Sequence, residues 1–594
     1  MSHSITSKAL ALFILLTAGL AARPSVADVR LPKSFSDHMV IQRDQPVRVW
    51  GWASPGESVT VTFAGQSLNG VAGKDGAWSV QLTPMKGSGV PQELVVSGQT
   101  TVKFSDVLVG DVWLISGQSN AAFSLGGCKA PEDIAAANFP LIRFSGYWEH
   151  FASFPQRDGG ASWRVLSPAT AASCTGIGFY FARKVQPEAG VPIGLLTCAV
   201  GGTEIENWMS PEAINNYPEN VRVAKIYRET IAKWESELPS SRATPGKRPA
   251  WLPVDEPIGL DLAVAWLAQV RAELKTAGAS VDPSFTELES WVTAARAALN
   301  AHLPVPAQPE FDAVGRWLQT NALPANLKRI PILPHPNDRH EVGGHGWFRT
   351  QSLYNGMIHP LVPFNIKGML WYQGENGSGN EYFHRIRSLI ETMRKEKGRD
   401  FPVYVVQLPN FGGPPLDPKG EITHNFPTTR EQQLKCLQIT RTGVAVTIDV
   451  GDATDLHPKN KSDVGERLAL WALAKDYGKN MVYSSPLFKA AQTGNGKIKI
   501  IFDSVGGGLM IGRKDGRNPV VEDKTGQLQR FAIAGADKKW FWAEALIDGS
   551  TVVVSSPDVP APVAVRYAFS MNPEGCNLYN KEGLPASPFR TDEW

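Results

Sequence analysis

Four short polar segments of this sequence carry the residue types of acyl-transfer chemistry. They are Ser116-Gly-Gln-Ser-Asn120, Gly201-Gly-Thr-Glu-Ile-Glu-Asn-Trp208, Gln373-Gly-Glu-Asn376 and Gly451-Asp-Ala-Thr-Asp-Leu-His457. A serine hydroxyl is a weak nucleophile until a neighbouring base takes its proton. Ser119 is the candidate nucleophile and His457 the candidate base. The imidazole then needs a carboxylate to fix its tautomer and to stabilise the imidazolium. Asp455 is the first choice for that acid and Asp452 the second. An oxyanion formed on attack needs donors already in place. The Ser119 N–H, the amide of Gly201 or Gly202 and the Gln373 side chain are the candidates. Glu375 would repel an oxyanion, so it is read as orienting the site. Gln118, Asn120 and Trp208 share these segments as supporting or substrate-binding residues. This chemistry requires no metal and no cofactor.

These segments can meet only if the elements before them end at one edge. Five apolar runs do precede polar or helical sequence: Val112–Ile115, Ile193–Ala199, Ile366–Tyr372, Val403–Leu408 and Val444–Val450. Continuous apolar strands belong to a parallel sheet covered on both faces. Helical spacing between them (Tyr382, Ile386, Leu389, Met393; then Val464, Leu468, Trp471) makes the middle of the chain a doubly wound α/β domain. Ligands of such sheets bind outside the carboxyl ends of the strands. Short alternating strands flank this domain on both sides, as in Ser58-Val-Thr-Val-Thr-Phe and Thr551-Val-Val-Val. The expected organisation is a leader over 1–27, an N-terminal β-sandwich over 28–106 and a hydrolase domain over 107–210 and 346–480. Amphipathic helices and Pro-rich joints mark a helical insert over 211–345, and a C-terminal β domain covers 481–594.

The string Gly110-Asp-Val-Trp-Leu-Ile-Ser-Gly-Gln-Ser-Asn120 resembles the first block of the sialate O-acetylesterase family of SGNH (GDSL-like) hydrolases. So do Gly201–Trp208, Leu370-Trp-Tyr-Gln-Gly-Glu-Asn376 and Asp455-Leu-His-Pro-Lys-Asn-Lys461. Leu353-Tyr-Asn-Gly-Met-Ile358 and the tail Asn577–Arg590 are similar to family signatures too. The resemblance implies an SGNH-type three-layer α/β/α fold and a serine esterase removing acetyl groups from sugar hydroxyls through an acetyl-enzyme. Ser119 would be its nucleophile, His457 its base, and the two middle blocks its oxyanion hole. Two departures stand out. Ala121-Ala122 replaces the usual Met-Glu, and Thr454 occupies the position where the broader SGNH pattern has its acid. The Asp-x-His spacing of this family keeps Asp455 in that role.

Composition excludes several other classes. Lys+Arg total 59 against 57 Asp+Glu among 594 residues, with no basic run, so no footprint for nucleic acid exists. Lys8, the apolar stretch Ala9–Ala22 and Ser25-Val-Ala27 have the form of a secretory leader, and no later segment approaches a membrane span. Export to the periplasm or the exterior is therefore expected. Cys128, Cys174, Cys198, Cys436 and Cys576 form no C-x-x-C pair and read as buried free thiols. His340-Glu-Val-Gly-Gly-His345 misses the zinc-protease spacing and is read as a loop. An O-acetylated carbohydrate is the expected partner. A sialic acid would call for a cation, with Arg349 and Arg430 as candidates. The rivals are an esterase for acetylated xylan or another polysaccharide, and a non-catalytic carbohydrate-binding protein.

Overall fold

The computed structural model describes residues 29–152, 155–216, 283–300, 351–376, 379–414, 417–419 and 426–594, with isolated positions between 218 and 276. Alternation of apolar and polar residues builds the N-terminal region from β1 (Val40–Gln42), β2 (Val47–Trp52), β3 (Ser58–Phe63), β4 (Gln66–Val71), β5 (Ala77–Leu82) and β6 (Ser88–Ser97). In β3, Val59, Val61 and Phe63 are buried while Ser58 and Thr62 face solvent. β2 pairs with β5 in one sheet. β3 pairs with β4 and β6, and β6 pairs with β7 (Thr101–Gly117). β7 crosses residues 106 and 107 without a break. Its first half is partly exposed and its last eleven residues are all buried, the signature of a strand passing from a sheet edge into a covered sheet. Asp106 marks the passage with a positive φ of 52°.

β7 lies at the centre of the main sheet, whose order is β13-β12-β11-β7-β10-β8-β9. The partners are β8 (Phe139–Ser145), β9 (Trp163–Leu166), β10 (Ile193–Ala199), β11 (Gly368–Tyr372), β12 (Val403–Val406) and β13 (Thr442–Ala445). All pair parallel except β9, which is antiparallel to β8. The five apolar runs thus become β7, β10, β11, β12 and β13, although the last run leaves the sheet after Ala445. β8 escapes a reading by hydropathy because Pro140 and Arg143 interrupt its apolar pattern, and β9 is only four residues long with Arg164 within it. Arg143 is tolerated in the sheet because Asp106 pairs with it at 2.5 Å.

Both faces of the sheet are covered. Trp113, Ile115, Tyr372 and Tyr404 pack with residues of the helices Gly176–Ala189 and Lys461–Asp476. Val112, Leu114, Trp371 and Val405 pack with Ile386 and Leu389 of the helix Tyr382–Glu396. The helices Gly176–Ala189 and Lys461–Asp476 approach closely at Gly465, where a Cβ would lie 2.7 Å from the Ile177 carbonyl oxygen. Within the stretch read as a helical insert, Pro283–Asn300 is a helix of eighteen residues. His340, His345 and Arg349 lie outside the described residues.

The C-terminal region is a pair of antiparallel four-stranded sheets, with a smaller three-stranded one, around Ile498, Ile500, Phe531, Val552, Val565 and Phe589. Arg430 joins it to the central domain. This side chain is fully buried, and its guanidinium donates to the carbonyls of Leu408, Pro409, Ser570 and Met571 at 2.6–2.9 Å. Arg430 is therefore a brace between the central sheet and the C-terminal region and not a cation open to a substrate, which corrects its reading as a carboxylate receptor. All five cysteines are free thiols. Among the described residues, no helix is long and apolar enough to cross a membrane.

Candidate active site

β7 ends at Gly117, whose φ is +130°. A Cβ there would sit 2.1 Å from the Tyr372 carbonyl oxygen, so glycine alone lets β7 and β11 finish side by side. Gln118 then locks the two strand ends together. Its N–H donates to the Tyr372 carbonyl (3.0 Å), and its side-chain Oε1 accepts from the amides of Gly374 (2.9 Å) and Glu375 (3.2 Å). Ser119 opens the short helix Ser119–Ala122 at this edge. Its Oγ lies 2.8 Å from Nε2 of His457, 338 residues further along the chain. The Phe123 ring stacks on the imidazole, 11° from parallel with centroids 5.9 Å apart.

Of the two candidate acids, Asp455 is the one that reaches the ring. Its Oδ1 stands 3.6 Å from Nδ1 of His457 and also accepts the His457 backbone N–H at 2.8 Å. Its Oδ2 accepts from Lys459 Nζ at 2.9 Å. Asp452 instead closes the turn, accepting from the Thr454 amide (2.8 Å), the Thr454 hydroxyl (2.9 Å) and the Asp455 amide (3.2 Å).

The second segment brings Gly201 against the serine, since a Cβ on Gly201 would lie 3.3 Å from Ser119 Cβ. Gly202 follows with a φ of +73° and open space around it. The Asn376 side chain donates to the Gly202 carbonyl at 2.8 Å and ties the second segment to the third. Gln373 does not serve as an oxyanion donor. It is fully buried, and its amide nitrogen donates to the Asn376 carbonyl at 2.6 Å and faces the Thr203 carbonyl at 3.4 Å. Trp208 is likewise buried. Its indole donates to the Thr203 hydroxyl (3.1 Å), which in turn donates to the Val200 carbonyl (2.8 Å), so it braces the loop and presents no face to a sugar. Among the described residues, no group of His, Cys, Asp and Glu could hold a metal ion.

Beneath Ser119 and His457 lies a buried polar chain. Asn120 donates to Glu375 Oε1 at 2.6 Å and to the Leu456 carbonyl at 3.0 Å, and its Oδ1 accepts from Lys461 Nζ at 2.6 Å. Burial pushes the Glu375 carboxyl up and the Lys461 ammonium down to about 8. Burial first, and then the Lys461 charge, hold His457 below the ordinary imidazole value, while Asp455 pulls the other way. Phe123 lies outside the four polar segments, and Lys459 and Lys461 stand in the sequence only within the block Asp455–Lys461, with no role of their own attached. A signal existed for Lys461: a cation in the first turn of a helix opposes the helix dipole and asks for a compensating partner.

Residues 109–240 and 341–474 match a family described as carbohydrate esterase, sialic acid-specific acetylesterase, and these ranges hold every residue of the site. Sialate O-acetylesterases of Mus musculus and Homo sapiens are each 24% identical. They align over 97% and 96% of this chain and over 96% and 94% of their own lengths. The crystal structure of a carbohydrate acetylesterase from Xanthomonas citri is 31% identical, covers 96% of this chain and 100% of its own, and superposes with a TM-score of 0.68. This chain belongs to that esterase family. It is a carboxylic ester hydrolase. The esterase therefore carries its Ser119 and His457 on two segments of the matched region, brought into hydrogen-bond contact by parallel strands. Both flanking β regions lie almost wholly outside that region.

Proposed function

We propose that this esterase removes O-acetyl groups from sugars by an acetyl-enzyme route, with sialic acid as the leading substrate. The observation that carries the reading is the 2.8 Å contact between Ser119 Oγ and His457 Nε2. His457 takes the hydroxyl proton as Oγ adds to the acetyl carbonyl. The resulting oxyanion accepts from the amides of Ser119 and Gly201. Ser119 is the first residue of its helix, so its N–H has no acceptor within that helix. Collapse of the adduct returns the proton from His457 to the sugar oxygen and leaves Ser119 acetylated. Water then repeats the sequence, with His457 as base and Ser119 as leaving group. Asp455 holds the imidazole through Nδ1. The carboxylate is loosely set at 3.6 Å and its second oxygen is held by Lys459, so it steadies the ring.

A neutral O-acetylated glycan is the second reading, favoured by one observation: Arg430, a candidate partner for a sialate carboxylate, is buried between domains. An SGNH-type topology, a helical insert over 211–345 that walls the sugar cleft, and export through the leader over 1–27 belong to the same proposal. They rest on the residue patterns described above. Acetate release from a panel of O-acetylated sialic acids and acetylated xylo-oligosaccharides tests it. Turnover of an aryl acetate with no release from any sugar ester would reject the substrate class.

A further inference from the structure

The buried chain Glu375–Asn120–Lys461 has no part in the acyl-transfer steps, yet it touches both halves of the site. Lys461 is fully buried at the start of the helix Lys461–Asp476, where the helix dipole disfavours a cation. Its ammonium is compensated from several elements at once. Nζ donates to Asn120 Oδ1 (2.6 Å) and to the Pro458 carbonyl (2.9 Å), and it lies over the rings of Phe123 (5.0 Å) and Tyr372 (5.5 Å). Pro458 is the residue after His457, and Asn120 is the residue after Ser119. Asn120 also donates to the carbonyl of Leu456, the residue before His457. The base is thus gripped on both sides by one side chain adjoining the nucleophile and one cation. Glu375 closes the chain through Oε1, while its Oε2 is buried without a hydrogen-bond partner. Removing one member of such a chain leaves the opposite charge buried and uncompensated.

We propose that Lys461 is a positioning residue of the esterase: its buried ammonium registers the His457 segment on the Ser119 helix, with Glu375 as its counter-charge through Asn120. The groups facing His457 are Ser119 and the Phe123 ring from the nucleophile helix, Asp455 and Lys459 from its own segment, and Lys461 from the following helix. Of these, Lys461 is the buried cation, and its field is the least screened by water. The inference rests on Ser119 and His457 as nucleophile and base; Ser119→Ala tests that reading separately, because it removes turnover at every pH.

The test is the pH profile of kcat/KM on a neutral aryl acetate. Lys461→Met keeps the shape of the side chain and removes the charge. Its acid limb should move up by roughly half a pH unit or more, since an imidazole freed from a like charge protonates sooner. kcat should fall about tenfold or more with KM changed less than threefold, as expected of a misplaced base. Glu375→Gln removes the opposite charge and should move the limb the other way. A merely structural chain would lower the melting temperature and leave the limb where it is. Coincident limbs in folded Lys461→Met and wild type, or shifts of both variants in the same direction, overturn the proposal. Should Lys461→Met fail to fold, Glu375→Gln decides alone: an upward or absent shift overturns it.

Discussion

The proposed nucleophile and the proposed base of this esterase are held in opposite ways. Ser119 follows directly from β7, the central strand of the main sheet, and its neighbour Gln118 is bonded to the ends of β11 and the loop beyond it. Backbone ladders on both sides fix its place. His457 sits twelve residues past the end of β13, on an irregular segment held mainly by side chains: Asp452 and Asp455 in its turns, Asn120 beneath it, Lys461 after it. The following helix start is braced in turn by the C-terminal region, where Lys514 pairs with Asp463 at 2.7 Å and Asn460 donates to the Gly516 carbonyl at 3.1 Å. A ladder is insensitive to any one side chain, and a side-chain scaffold is not. Substitutions around His457 should therefore grade the activity, whereas around Ser119 the proposed nucleophilic oxygen itself is what matters.

The largest effect tests the reacting atoms. Ser119→Ala should lower kcat on an aryl acetate by about 10³-fold or more while the melting temperature stays within a degree or two. His457→Ala should cost a similar factor, and the double variant little more than either, because the pair acts as one unit. Additive losses would separate the two residues and break the comparison at its root.

The pair itself was legible in the sequence because each residue lies just past an apolar run, and apolar runs of that length fold into parallel strands whose carboxyl ends converge. What holds the base was less legible. Lys461 becomes buried only when the helix Lys461–Asp476 meets Gly176, where a Cβ would lie 3.0 Å from Lys461 Cβ, and no local pattern encodes that meeting. Gln373 shows the converse. At the end of a strand it has the right type and place for an oxyanion donor, but its side chain points into the protein, toward Thr203 and Asn376. The strand β8 was hidden by Arg143, whose burial depends on Asp106 from a different strand.

The next effect sharpens which acid steadies the imidazole. Asp455→Asn should lower kcat/KM by roughly 10- to 100-fold, less than loss of the base, because the 3.6 Å contact is already loose. Its pH behaviour has a definite sign. Asp455 favours the protonated ring, so removing its charge should carry the acid limb further below the ordinary imidazole value, opposite to the shift expected of Lys461→Met. Asp452→Asn, which alters only the turn, should cost about threefold and leave the limb in place. If Asp452→Asn proves the more damaging variant, the acid has been misassigned.

The smallest expected effect asks how far the side-chain scaffold of the base extends. Arg517, on a loop of the C-terminal region, pairs with Asp133 and with Glu132 (2.8 Å), reaches the Ser462 hydroxyl at 3.4 Å and lies over the Tyr180 ring at 5.4 Å. It thereby spans the helices that carry Tyr180 and Lys461, one of them starting four residues after His457. The guanidinium is about one-third exposed, so its ion pairs are screened and contribute about 0.5–1 kcal/mol. Arg517→Ala should lower the melting temperature by about 1–2 °C. If the C-terminal region braces the base, kcat/KM should also fall about two- to threefold, with the loss in kcat and the acid limb unmoved, because the ammonium of Lys461 remains in place. A stability loss with kcat unchanged would confine the scaffold of His457 to the central domain, and a loss beyond tenfold would make the C-terminal region part of the catalytic apparatus.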